Sequence, residues 1–149
     1  VDLKFKNRLT DDEIKEGVNL FIKRKVGYIF LIIIGIAIAS VILNKGKSQS
    51  SQAFVGILVI GIFIFGLYLY LRKILMSNFS TEKIATYSFT EDGVDIVNDD
   101  GREYNYSYFK MKTLDSKNVL VLTFGKNSLA IISKDKLQPS EIEWIKGLE

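Results

Sequence analysis

Carboxylates crowd one short stretch of this chain: Asp92, Asp95, Asp99, Asp100 and Glu103 follow one another closely. Such a cluster could ligate a divalent cation or supply an acid–base pair. Its order is not the Asp-x-Asn/Asp-x-Asn/Asp-Gly run closed by a glutamate that a calcium loop requires. Glycines at 93 and 101 mark the same residues as two solvated turns, and turns are the expectation here. The chain has no histidine and no cysteine. The usual zinc sites, thiolate nucleophiles, disulfides and Ser-His-Asp or Cys-His hydrolysis are therefore excluded. No Gly-x-x-x-x-Gly-Lys-Ser/Thr phosphate loop is present. No catalytic residue, metal or cofactor is expected, and the chain reads as non-enzymatic.

The next candidates are aromatic. Tyr104, Tyr106 and Tyr108 alternate, so a strand would place them on one face, with Phe109 close by. Rigid aromatics of this kind suit protein recognition, and they equally suit the rim of a core. Lys110 and Lys112 could accompany anionic headgroups. Residues 74–149, however, carry 9 Lys/Arg against 12 Asp/Glu, which argues against a strong lipid reader and against nucleic acid.

The elements that must position these groups begin with two apolar runs, residues 26–43 and 53–71, of 18 and 19 residues. Neither contains Asp, Glu, Lys, Arg, Asn or Gln. As helices they would be roughly 27 and 28 Å long, close to the roughly 30 Å hydrocarbon layer. A polar loop, 44–52, separates them, so a two-helix transmembrane hairpin with that loop outside is expected. Lys23, Arg24 and Lys25 precede the first run, and Arg72 and Lys73 follow the second. These cations are candidates for headgroup contact, and by the positive-inside bias they put both termini in the cytoplasm. Gly35 and Ala39, then Gly56, Gly61 and Gly66, could let helices approach closely, within the hairpin, in a homo-oligomer or against a multispan partner. No charged group falls at mid-span, so no ion or proton relay is visible.

Ahead of the hairpin, Thr10-Asp11-Asp12-Glu13 has the spacing of a capping box. Ile14, Val18, Phe21 and Ile22 then share one side of a helix. Residues 1–25 read as an amphipathic segment that lies at the membrane interface or packs on protein. Residues 72–83 read as a linker. Beyond it the period changes to two. Strands are expected over 84–90, 94–98, 102–108, 109–114, 119–124 and 129–133, with Gly93 supplying a positive φ in the first turn. Pro139 opens a last helix, with Ser140 to Glu143 spaced for its cap. Residues 84–149 are thus expected to form a small antiparallel β domain with a C-terminal helix.

The double apolar run, Phe89-Thr90-Glu91-Asp92-Gly93-Val94, Tyr106-Ser107-Tyr108-Phe109-Lys110 and Leu129-Ala130-Ile131-Ile132-Ser133-Lys134 stand in an order that resembles the YcxB-like family of bacterial membrane proteins. That resemblance covers nearly the whole chain. It implies a hairpin followed by a pleckstrin-homology-like cytoplasmic domain, a multi-pass location in the bacterial cytoplasmic membrane, and no catalytic residues. Position 133 is serine where the family often presents proline. The expected function is a membrane-anchored adaptor, regulator or toxin self-protection (immunity) protein that recognises another protein. An accessory subunit of a transporter or channel, or a lipid-sensing module, is the alternative.

Overall fold

Strands account for most of the polar half of the chain, and they begin earlier than the sequence suggests. The computed structural model describes residues 3–43, 50–125 and 128–148. Residues 44–49 of the expected external loop, and Lys126 and Asn127 of a hairpin turn, lie outside the described residues. The chain divides into two units, Val1–Phe21 with Met76–Glu149, and Ile22–Leu75. These boundaries differ from the expected divisions at 25, 71 and 83.

In the first unit, β1 (Leu3–Arg8), β2 (Ile84–Phe89), β3 (Gly93–Asn98) and β4 (Glu103–Ser107) form one antiparallel sheet in that order. β5 (Met111–Asp115), β6 (Val119–Phe124) and β7 (Ser128–Ser133) form a second. A 3₁₀ turn, Tyr108–Lys110, joins the two sheets, and the helix α3 (Pro139–Lys146) ends the unit. β1 was not expected. Its lysines and arginine alternate with Leu3, Phe5 and Asn7, and it pairs with β2 along its whole length, Leu3 opposite Phe89 and Arg8 opposite Ile84. Phe5 stacks on Tyr87 at 5.5 Å.

The core between the sheets holds Tyr87, Phe89, Val94, Ile96, Leu120, Leu122, Ile132 and Ile145. β6 is an almost unbroken apolar run because both its faces are covered. Leu120 and Leu122 point to the core. Leu114, Val121 and Ile131 lie in register on the opposite face and are buried too. The start of helix α1 (Asp11–Leu43) covers that opposite face: Ile14 and Val18 are buried, and a Cβ added at Gly17 would lie 2.7 Å from Ile131 Cδ1. Of the two expectations for this segment, packing on protein is the one found for Ile14 and Val18, which lie on the β unit. Each such buried aliphatic side chain stabilises the packing by about 1.5–3 kcal/mol.

The caps follow local chemistry. Thr10 N–H donates to the Glu13 carboxylate at 2.8 Å, and Glu13 N–H donates to the Thr10 hydroxyl at 3.3 Å. α3 starts at Pro139 as expected, but its cap is Gln138 and not Ser140: Gln138 N–H donates to the Glu141 carboxylate at 2.7 Å. Gly101 and Gly125 have positive φ in their turns. Gly93 does not, contrary to expectation. It is needed instead because an added Cβ would meet the Tyr106 carbonyl oxygen at 2.2 Å.

The second unit carries the rest of α1 and α2 (Ser50–Ser77). Among the described residues, Val55–Ser77 is long and apolar enough to cross a membrane, and its apolar window has no buried residue. Large side chains such as Phe63 and Tyr70, and Tyr28 and Leu31 of α1, are exposed. In water such a surface would be strongly unfavourable. An apolar groove of about 450 Å³ runs between Ile34 and Ile38 of α1 and Ile57, Ile60 and Ile64 of α2.

Candidate functional site

The aromatic cluster is split by the fold. Tyr104 and Tyr106 sit on β4, the edge strand, opposite Ile96 and Val94 of β3. Their rings are parallel, 6.4 Å apart, and Tyr106 stacks in turn on Phe124 at 4.2 Å. Tyr108 is not on that strand. It opens the 3₁₀ turn, where the shift from extended to helical backbone breaks the two-residue alternation. Its hydroxyl donates to the Thr90 carbonyl at 2.7 Å. Burial, and then the nearby Asp95, push the Tyr108 phenol up. Tyr106 and Tyr108 both pack against the core, so half of the expected recognition surface is structural.

Phe109 is the opposite case. It is 91% exposed, the most exposed large apolar side chain among the described residues. The backbone that carries it is tied down on every side. Phe109 N–H donates to the Ser107 hydroxyl at 3.4 Å, and Met111 N–H donates to the Tyr108 carbonyl. Gly125 N–H donates to the Lys110 carbonyl at 3.1 Å. An aromatic ring held outside by a fixed turn presents its area at little entropic cost. Beside it lies a hollow of about 270 Å³, lined by Tyr106, Ser107, Lys110 and Phe124 among others. The corner thus combines one projecting ring, one apolar hollow and one cation.

The carboxylates at the neighbouring turn are engaged locally. Asp95 accepts from the Asn105 side-chain amide at 2.6 Å, and Asp100 accepts from Arg102 N–H at 3.1 Å. Among the described residues no three acidic groups converge as a metal site.

The remaining candidates lie on the helices of the second unit. Lys23, Arg24, Lys25 and Lys73 are exposed, and Arg72 is half-buried, its Nε buried with no hydrogen-bond partner among the described residues. Gly35, Gly56, Gly61 and Gly66 face open space, with no atom within 4 Å of an added Cβ, and Ala39 is exposed. Close approach of α1 to α2 at these residues is therefore not found.

A polar network that sequence reasoning missed joins the ends of the two sheets. The Asn7 amide is buried, donates to the Ile131 carbonyl at 2.8 Å and accepts from Ser133 N–H at 3.0 Å. These are the bonds a neighbouring strand would offer residues 131 and 133 of β7, made here by one side chain. The Ser133 hydroxyl donates to the Glu13 carboxylate, which Thr10 also holds. Burial raises the Glu13 carboxyl, but the bonds from Ser133 and Thr10 outweigh it and leave it below its ordinary value. A proline at 133 would lose both the N–H and the hydroxyl, so the serine is integral to this network. A second tie runs from Glu16, which accepts from Asn118 N–H at 3.0 Å and from its side-chain amide at 2.8 Å. The available signal was Asn7 at an inward position of an alternating run.

Comparison of the chain with family models, curated proteins and solved structures finds no match.

Proposed function

We propose that the chain is a non-enzymatic, membrane-anchored recognition protein, whose β unit binds a protein partner through the Phe109 corner. The observation that carries this reading is Phe109 itself, 91% exposed on a turn whose backbone is hydrogen-bonded on both sides. Exposed aromatics on fixed backbone are the usual energetic centres of interfaces. The partner is a membrane-associated protein, and the role is that of an adaptor, regulator or toxin self-protection protein.

The topology of the first unit supports a hairpin anchor. β1 pairs with β2, so residues 8 and 84 share one side of any bilayer the chain enters. If α2 crosses once, the chain must cross again between them. The apolar part of α1, residues 26–43, has the length and composition for that crossing. Lys23, Arg24, Lys25, Arg72 and Lys73 flank the pair at the same ends and favour the cytoplasmic side for both termini. The four-stranded and three-stranded sheets with a C-terminal helix support the pleckstrin-homology-like, YcxB-like assignment. The apolar groove between α1 and α2 favours a second reading, an accessory subunit whose groove takes another transmembrane segment.

The test is a photo-crosslinking amino acid placed at position 109 in native membranes. One stoichiometric protein adduct, absent when the same group replaces Lys136 on another exposed turn, supports the reading. Adducts only to lipid, or none, would remove it. A crosslinker at Ile38 that captures a multispan protein while position 109 captures nothing would favour the accessory subunit.

A further inference from the structure

We propose that the hollow at the open ends of the two sheets binds a small molecule made of a flat aromatic ring and one anionic group. This site is distinct from the Phe109 corner. The hollow holds about 240 Å³ and is lined by the end of β1, by Asn78, Phe79, Ser80 and Lys83, and by residues of β2, β3, β4 and β7, all within the first unit. Three features define its occupant.

The first is a column of rings. Phe124, Tyr106 and Tyr104 stack in sequence, with interplanar angles of 11° and 6°. Tyr104 ends the column, lines the hollow and is 41% exposed. A flat ring from a ligand would extend the column by one member, in the offset-stacked arrangement aromatic groups prefer.

The second feature is charge. Among the described residues Lys83 is the one charged residue that lines the hollow, and no Asp or Glu lines it. Among the described residues Lys83 has no ion-pair partner. Asn78, Ser80 and Asn98 add neutral hydrogen-bonding groups around it. Asp99, Asp100 and Glu103 follow Asn98 in the chain and disfavour a ligand bearing several negative charges. One cation among neutral polar groups selects a single anionic group.

The third feature is depth. The buried lining is fixed and mostly apolar: Tyr87, Ile96 and Ala130 are buried, and the buried Asn7 amide is already bonded to Ile131 and Ser133. The volume falls below the roughly 300–1,000 Å³ of pockets for drug-sized ligands. Ring and head group fill it, and an acyl chain has no place in it.

The experiment is calorimetric titration of the full-length protein in detergent micelles, with protein-free micelles as blank. The probes are 2-naphthoate and its uncharged isostere 2-naphthamide. Saturable one-to-one binding of 2-naphthoate is expected, weakened about tenfold by Lys83→Met to the level of the amide. Tyr104→Leu should weaken both probes, and Phe109→Ser neither, which separates this site from the recognition corner. Binding of 2-naphthoate no stronger than to empty micelles, or unchanged by Lys83→Met, would overturn the proposal. So would a tryptophan-amide peptide that binds as tightly as 2-naphthoate, which would assign the hollow to a protein segment instead.

Discussion

Asn7→Ala removes the side chain that stands in for a strand between the two sheets. Asn7 is 3% exposed, and both faces of its amide are used, one by the Ile131 carbonyl and one by Ser133 N–H. Removal leaves Ser133 N–H buried without its partner, at a cost of about 1–3 kcal/mol. The Ile131 carbonyl keeps a long bond from the Tyr87 hydroxyl at 3.5 Å, so its share of the loss is smaller. The expected destabilisation is about 2–3 kcal/mol. The chain's single tryptophan, Trp144, lies edge-on to Phe89 at 6.0 Å in the core of the β unit. Its fluorescence during urea unfolding in micelles therefore reports this unit. Lys6→Ala on the exposed side of the same strand is the control, expected to stay within about 0.5 kcal/mol of the parent. A loss for Asn7→Ala no larger than that control would refute the idea that this amide joins the sheets.

Gly17→Ala should cost about 1–3 kcal/mol by the same readout, because the new Cβ meets the buried Ile131 side chain, whereas Gly35→Ala, in open space, should leave the β unit unchanged. Acid should unfold the β unit progressively. Glu13 and Glu16 sit below their ordinary value of 4.5, and Asp115 below 3.8, so the unfolded chain binds more protons in that window. Their contribution is complete above pH 4.5 and is lost as pH falls from there through the lowered folded values; Glu13→Gln should flatten the pH dependence of the urea midpoint below pH 4.5. With the photo-crosslinking group moved to position 110, Phe109→Ser should abolish the adduct with stability within about 0.5 kcal/mol of the parent, while Tyr106→Ser should destabilise the unit by about 3 kcal/mol through loss of the Phe124 stack and its packing.

Most strands from 84 onward were legible from their period-two alternation and the polar or glycine turns between them, and β6 from its continuous apolar run. The Thr10–Glu13 box and the helix after Pro139 were legible because caps are local chemistry, although the second cap settled on Gln138. β1 was not legible. Its partner β2 lies beyond the whole apolar segment, and pairing across such a distance leaves no trace within six residues. The role of Gly93 depends on how near Tyr106 comes, and the role of Gly17 on Ile131, neither of which spacing reveals. Among the site residues, the identity of the aromatic cluster could be read, but its division could not. A single 3₁₀ turn changes the parity after Ser107, turning Tyr108 toward Thr90 and sending Phe109 outward.

The pairing of β1 with β2 also sets an order of assembly. β1 is made before its partners, since its neighbours in the sheet and across the Asn7 bridge are residues 84–89 and 131–133. At roughly 5–20 residues per second, the strand waits on the order of 6–25 s before Ser133 exists. Throughout that interval it is an open edge, the kind of segment that captures other strands. Lys4, Lys6 and Arg8 at alternate positions give it repulsive charge during the wait. A strand made ahead of its partners is thus among the last to be placed, and the β unit closes only after the apolar helices have been committed to their own surroundings.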